Sequence, residues 1–390
     1  MDDNVTQAPF FTHDLQSKGL RSRVVSNGNG LDMRIIEAGF EDERQPCVLL
    51  LHGFPELAYS WRKVMSPIAA AGYHVVAPDQ RGYGDTRGWT ATYDGELELF
   101  RMTNLVKDVL GLLSALEHRE AIVIGHDFGS PVAAYCALTR PDVFRGVVLM
   151  SAPFSGAPPP HASDKNLRES RSHAPDIQQA LASLNFPRKH YQWYYSTRDA
   201  DADMRNCRQG LHSFLRAYYH YKSADWAQNK PFPLASWSAS ELAKLPTYYI
   251  MELNQNMAET VAPEMPTPAE IEACKWLTDD ELKVYSTAFN FTGFQGGLQW
   301  YRCSTTGAFN NELGPFAGKT IDVPSCFISG KSDWGVYQIP GAFERMQSNV
   351  LTDIRGCHLI DGAGHWVQQE QPEAVIDLVI DFLSGVELST

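Results

Sequence analysis

Ala121-Ile122-Val123-Ile124-Gly125-His126-Asp127-Phe128-Gly129-Ser130 passes from an unbroken apolar run into a G-x-D-x-G turn. Four consecutive apolar side chains suit a strand buried on both faces. Gly125, Gly129 and Ser130 are small where a strand and the next helix must approach closely, and Pro131 suits a first helical turn. The pattern predicts a sharp strand-turn-helix bend with Asp127 exposed at its apex. Such an aspartate, taken alone, is equally an N-cap. The chain on either side decides between the two readings.

Apolar runs of the same kind occur at 47–51, 74–77 and 146–150, and two more strand candidates lie at 323–329 and 354–360. Helical periodicity falls between them, most clearly over 102–116, where Leu105, Val106, Val109, Leu112, Leu113 and Leu116 recur, and again at 372–383. Alternating strands and helices predict an α/β fold with a mostly parallel sheet. Ahead of it, two alternating stretches within 21–39 flank Asn27-Gly28-Asn29-Gly30, which predicts a hairpin and an antiparallel edge. The alternation stops near Pro153 and resumes near Val323. The intervening 154–319 is aromatic-rich and helical in pattern, with a capping-box spacing at Thr278-Asp279-Asp280-Glu281. Its proline-rich stretch 223–268 is expected to be partly a long ordered loop.

With 390 residues, 44% hydrophobic and 20% charged, the chain has the composition of a compact protein. A net charge of -13 and a pI near 5.4 argue against a nucleic-acid partner, which needs clustered Lys and Arg. Seven scattered cysteines without a C-x-x-C pair suggest free thiols in a reducing, cytoplasmic compartment. Met1-Asp2-Asp3 opens no secretory signal, and no apolar run is long enough for a membrane span. The twelve histidines include no H-E-x-x-H, and no phosphate-binding glycine loop is present, so neither metal nor organic cofactor is expected. An oligomer is compatible with the composition.

Aspartate at the apex restricts the chemistry. A carboxylate is already ionised at neutral pH and attacks saturated carbon bearing a leaving group, whereas attack on an ester or amide would give a labile anhydride. The resulting alkyl ester needs a base for water and donors for an oxyanion. His365, in Gly362-Ala363-Gly364-His365-Trp366, follows the last strand, and Asp333, in Gly330-Lys331-Ser332-Asp333-Trp334, follows the one before. Asp333 would orient the imidazole. The backbone N–H groups of Phe54 and Phe128 would form the oxyanion hole, with His52 holding the first of these loops. Ester hydrolysis through such a base should weaken as pH falls through roughly 6 to 7.

His52-Gly53-Phe54-Pro55-Glu56, Arg81-Gly82-Tyr83-Gly84-Asp85-Thr86, Gly125-His126-Asp127-Phe128-Gly129 and Gly364-His365-Trp366 together resemble the soluble epoxide hydrolase family. The resemblance implies an α/β-hydrolase core over 1–153 and 320–390, with a helical cap inserted at 154–319. It further implies water addition to an epoxide, giving a vicinal diol through an Asp127 ester. Two cap tyrosines would hold the epoxide oxygen, matched here by Tyr191 in Tyr191-Gln192-Trp193-Tyr194-Tyr195 and Tyr301 in Trp300-Tyr301-Arg302. Trp193, Trp334 and Trp366 beside these motifs are expected to contact the substrate, a bulky and largely apolar epoxide.

Two departures stand out: the cap is longer over roughly 204–277, and Phe128 replaces the tryptophan common after the nucleophile. A haloalkane dehalogenase would share the aspartate but wants Trp or Asn donors for halide where this chain has Phe54 and Phe128. A haloacid dehalogenase wants arginines where Ser130 and Pro131 stand. A ligand receptor on the same fold would not need the full set Asp127, Asp333, His365 and both tyrosines.

Overall fold

A computed structural model of the chain describes residues 15, 18–42, 44–90, 92–158 and 176–388. The N-terminal Met1-Asp2-Asp3 and residues 159–175 of the expected cap lie outside the described residues.

The centre is an eight-stranded sheet in the order β1-β2-β4-β3-β5-β6-β9-β10. β1 (Arg21–Ser26) and β2 (Asp32–Ala38) form the expected antiparallel hairpin, and β2 also pairs antiparallel with β4 (His74–Pro78). From there β4, β3 (Cys47–Leu51), β5 (Ala121–His126), β6 (Phe144–Met150), β9 (Ser325–Gly330) and β10 (Ile354–Ile360) run parallel. All residues of β3, β4, β5 and β9 are buried, as continuous apolar strands covered on both faces must be. β9 starts two residues later than its apolar run because Pro324 has no N–H for the ladder; its carbonyl instead accepts from the amide of Val147.

Helices cover the faces. The 102–116 periodicity is helix α1 (Met102–Ala115), which buries Leu105, Val106, Val109, Leu112 and Leu113. Helix α2 (Gly129–Thr139) follows β5, and the last helix, Pro372–Ser384, closes the chain. A Cβ on Gly129 would run into the carbonyl oxygens of Leu51 and His52, and one on Gly125 into the Gly129 backbone. Glycine is therefore required on both sides of the apex, so that β5, α2 and the end of β3 can meet.

Between β6 and β9 the described chain is mainly helical. Tyr191 opens α3 (Tyr191–Tyr195), α4 spans Leu211–Lys222, α5 Asp279–Thr292 and α6 Gln295–Thr306. The capping box at Thr278 is formed, with two more at Asn256 and Thr267 on short helices. These short helices and a strand interrupt the expected loop over 223–268: β8 (Ile250–Glu252) pairs antiparallel with β7 (Arg188–His190). Three-residue strands are too short to leave an alternating signature. Among the described residues, no helix is long and apolar enough to cross a membrane.

The insert is seated on the Arg81-Gly82-Tyr83 loop. Arg81 is locked by two 2.7 Å bonds to Asp108, its carbonyl accepts the Trp300 indole N–H at 3.0 Å, and the Gly82 backbone lies flat against Gly296. A side chain on either glycine would lift α6, which carries Tyr301, off the core.

Candidate active site

The elbow at the end of β5 places Asp127 at φ 51°, a left-handed conformation unusual outside glycine. Its amide is bonded to the Met150 carbonyl and its carbonyl accepts from Ser130, so the turn is held from both sides. The carboxylate is divided between two partners. Oδ1 accepts the Phe54 N–H at 2.9 Å, and Oδ2 lies 3.2 Å from His365 Nε2. Burial opposes its charge, but the His365 imidazole bonded to it and the positive charges of Lys222 and His126 outweigh that penalty. The net effect holds the Asp127 carboxyl far below the usual carboxylate range.

The other face of His365 is fixed by Asp333. Nδ1 sits 3.1 Å from each Asp333 oxygen, and Asp333 in turn accepts from the Gly335 N–H at 2.7 Å and the Ser329 hydroxyl at 3.2 Å. Asp333 is fully enclosed; burial works against its ionisation, yet His365, these donors and Lys222 lower its pKa. The loop bearing His365 is clamped by Glu370, whose carboxyl accepts the N–H groups of Gly364, Trp366 and Ala224. Burial is strong enough to push that carboxyl up to about 8 despite three donors.

A second pair was not legible from the motifs. His126, one residue before Asp127, and Glu56, last of the His52–Glu56 motif, form a fully buried ion pair at 2.6 Å. His126 Nε2 also donates to the His365 carbonyl at 2.7 Å, while Glu56 Oε1 accepts from Gln368 and Gln369. Burial disfavours charge on both members, and their mutual attraction prevails, lowering Glu56 and raising His126. The pair ties the elbow to the base loop. The only hint in the sequence was the polar character of two positions inside otherwise apolar motifs. His52 holds its loop as expected: Nε2 accepts from the Gln80 amide at 3.1 Å, Nδ1 bonds the Gly53 carbonyl at 2.9 Å, and burial lowers its pKa to about 4.

Asp127 and Phe128 open into a cavity of about 430 Å³. Tyr191 and Tyr301 line it too, with ring centroids 5.9 Å apart. Their hydroxyls differ. The Tyr191 hydroxyl donates to Gln338 at 3.1 Å and accepts from Gln192 at 3.2 Å, whereas no hydrogen bond joins the Tyr301 hydroxyl to a described residue. Burial raises both phenols well above their ordinary value, and the Asp127 charge adds to this, so both are protonated donors at neutral pH. Phe100, Met102, Leu105, Phe154, Trp300, Leu313 and Val336 supply apolar wall.

Trp193, Trp334 and Trp366, expected to contact the substrate, are not among the residues lining this cavity. Trp366 is completely buried behind His365, its indole N–H held by the Tyr219 carbonyl at 2.8 Å. Trp334 packs on Phe232, and Trp193 on His190. Trp300 is the tryptophan that reaches the cavity. Phe54 and Phe128, with rings edge-on to Tyr301, contribute no side-chain donor.

A strand-turn-helix elbow bearing Asp127, a carboxylate-oriented histidine and a mostly parallel sheet define the class. A family model described as an alpha/beta hydrolase fold matches residues 46–372, and the chain belongs to that family. Within it the chain falls among the epoxide hydrolases. It is 34% identical to epoxide hydrolase A of Mycobacterium tuberculosis over 372 residues, covering 92% of this chain and 96% of the relative. Epoxide hydrolase B of the same organism is 32% identical over 367 residues, covering 93% and 98%. The solved structure of an epoxide hydrolase from an endophytic Streptomyces superposes with a TM-score of 0.74 at 30% identity, covering 94% of this chain and 96% of the other.

Proposed function

We propose that this chain adds water to an epoxide through an ester on Asp127. The observation that carries this reading is a single cavity lined by an ionised aspartate and two protonated phenols, with His365 directly behind the aspartate. Oδ1 of Asp127 is held by the Phe54 N–H, leaving Oδ2 to attack an epoxide carbon. The C–O bond of the ring breaks, and its oxygen takes a proton from Tyr301 or Tyr191. Loss of the Oδ2 charge then frees His365 Nε2 to accept a proton from water while hydroxide adds to the ester carbon. Negative charge collects on Oδ1, where the Phe54 N–H already points; the Phe128 N–H is the second donor of the hole. The acyl–oxygen bond breaks, the leaving alkoxide takes the imidazolium proton, and the proton left on Asp127 restores the phenol through solvent.

The insert acts as a cap, so that 1–153 and 320–390 form the core and 154–319 closes over it. An apolar wall opposite the two phenols supports a bulky, largely apolar epoxide as substrate. Seven unpaired cysteines support a reducing, cytoplasmic setting.

Removing one phenol should slow ester formation by about 10²-fold, as loss of one oxyanion donor does elsewhere. Tyr301→Phe is expected to act mainly on this step and to leave the hydrolysis of preformed ester unchanged. Tyr301→Phe/Tyr191→Phe should abolish alkylation by epoxides. Rapid-quench measurement of ester formation checks this, and a double variant that still forms ester at the wild-type rate would remove both tyrosines from the mechanism. Haloalkanes offered in parallel should release no halide, because no side-chain donor from Phe54 or Phe128 meets a departing anion.

A further inference from the structure

Lys222, the last residue of α4, is 3% exposed, yet among the described residues no carboxylate lies within ion-pair distance of it. Its ammonium is caged by aromatic rings, with Nζ 5.4 Å from the centroid of Tyr218, 5.8 Å from Tyr248, 5.1 Å from Tyr249 and 5.4 Å from Trp366. Aromatic faces attract a cation but replace only part of its hydration, so a buried ammonium of this kind needs negative charge nearby. The active site supplies such charge: Lys222 acts electrostatically on both Asp127 and Asp333, opposing the effect of their burial. Its backbone carbonyl also accepts the His365 N–H at 2.9 Å, so the cage and the base loop are one packed unit.

We propose that Lys222 is a positioning residue whose buried, caged ammonium supplies the fixed positive charge behind the Asp127–His365–Asp333 line and thereby sets the pH range over which the Asp127 ester is hydrolysed. The inference rests on the ester mechanism above and extends it. In the ester Asp127 is uncharged, and Asp333 is the carboxylate left beside the imidazole, drawing positive charge toward it. A cation behind them offsets that pull.

The surroundings contain the other groups that matter. Facing Lys222 are the phenols of Tyr218, Tyr248 and Tyr249, of which Tyr218 receives the Tyr195 hydroxyl at 3.2 Å and Tyr248 donates to Asn229 at 3.0 Å. Facing His365 are Asp127, Asp333 and the His126 ring at 5.2 Å, with Glu56 behind His126 and Glu370 on the amides of Gly364 and Trp366. The Glu56–His126 pair is neutral as a unit. Lys222 is therefore an unbalanced cation that acts on both acids flanking His365.

The test follows single-turnover ester hydrolysis against pH in wild type, Lys222→Met, Lys222→Gln and Lys222→Arg, with thermal unfolding in parallel. Neutralising the charge favours the imidazolium, so the Met and Gln variants should lose hydrolysis at higher pH, the midpoint rising by on the order of one unit. The high-pH plateau should move little, since the oxyanion and imidazolium of the transition state carry opposite charges. Arginine should keep the wild-type midpoint. A neutral variant that folds and retains the wild-type midpoint overturns the proposal, as does a failure of both neutral variants to fold while Arg folds, which assigns Lys222 to the scaffold. Absence of any ester in the wild-type protein would sink the ester mechanism itself, a result distinguishable from either of these.

Discussion

His365→Gln, exposed to an epoxide that the wild-type protein consumes, should gain the mass of the whole epoxide and keep it. Asp127 remains in place and ionised in this variant, and the Phe54 N–H still holds Oδ1, so alkylation proceeds. Hydrolysis stalls because an amide at 365 cannot take a proton from water. Turnover should fall by about 10³-fold, within the range that general-base removal produces. The adduct mass is itself diagnostic, since ring opening loses no atom, whereas an alkyl halide would deposit its carbon skeleton without the halogen. Intact-protein mass spectrometry reads both. An unmodified His365→Gln protein that nevertheless turns over would place the base elsewhere.

Asp127→Ala should lose more, on the order of 10⁴-fold or beyond, because it removes the covalent route altogether. No adduct should form in this variant even when His365→Gln is added. The fold is expected to survive. Alanine keeps the left-handed strain at φ 51° and leaves the Phe54 N–H and His365 Nε2 without their carboxylate partner, a local loss in a sheet whose strands stay covered on both faces. A folded protein with a thermal midpoint at or modestly below wild type, together with lost diol formation, would fit an aspartate retained for chemistry. Wild-type diol formation by Asp127→Ala would exclude the aspartate as nucleophile.

Much of this site is readable because the core strands are covered on both faces and so appear as unbroken apolar runs at 47–51 and 121–124, each ending in a motif. Once the runs at 121–124, 323–329 and 354–360 are strands, Asp127, Asp333 and His365 follow the ends of these three, and the structure places His365 3.2 Å from Asp127 and 3.1 Å from Asp333. Tyr191 and Tyr301 needed the family resemblance, because an insert crowded with rings offers no local signal for which of them face a cavity. The surroundings of Trp193, Trp334 and Trp366 were unreadable for the same reason. Whether a ring packs or faces substrate depends on helix rotation and tertiary docking, as with Trp300 and Trp366, both buried yet on different sides of the site. The Glu56–His126 pair lies 70 residues apart in sequence, and only the meeting of β3 with β5 joins them. Arg81-Gly82-Tyr83 marked the family but gave no indication of its task, which is to seat α6 and with it Tyr301.

The ester itself is the central claim, and a single turnover in ¹⁸O-water with enzyme in excess over epoxide tests it most directly. Water attacks the ester carbon, and the acyl–oxygen bond then breaks, so the oxygen added to the diol comes from the Asp127 carboxylate. The account predicts unlabelled diol from the first turnover and ¹⁸O in the peptide containing Asp127. Labelled diol with an unlabelled Asp127 would show that water opens the epoxide directly and would contradict it.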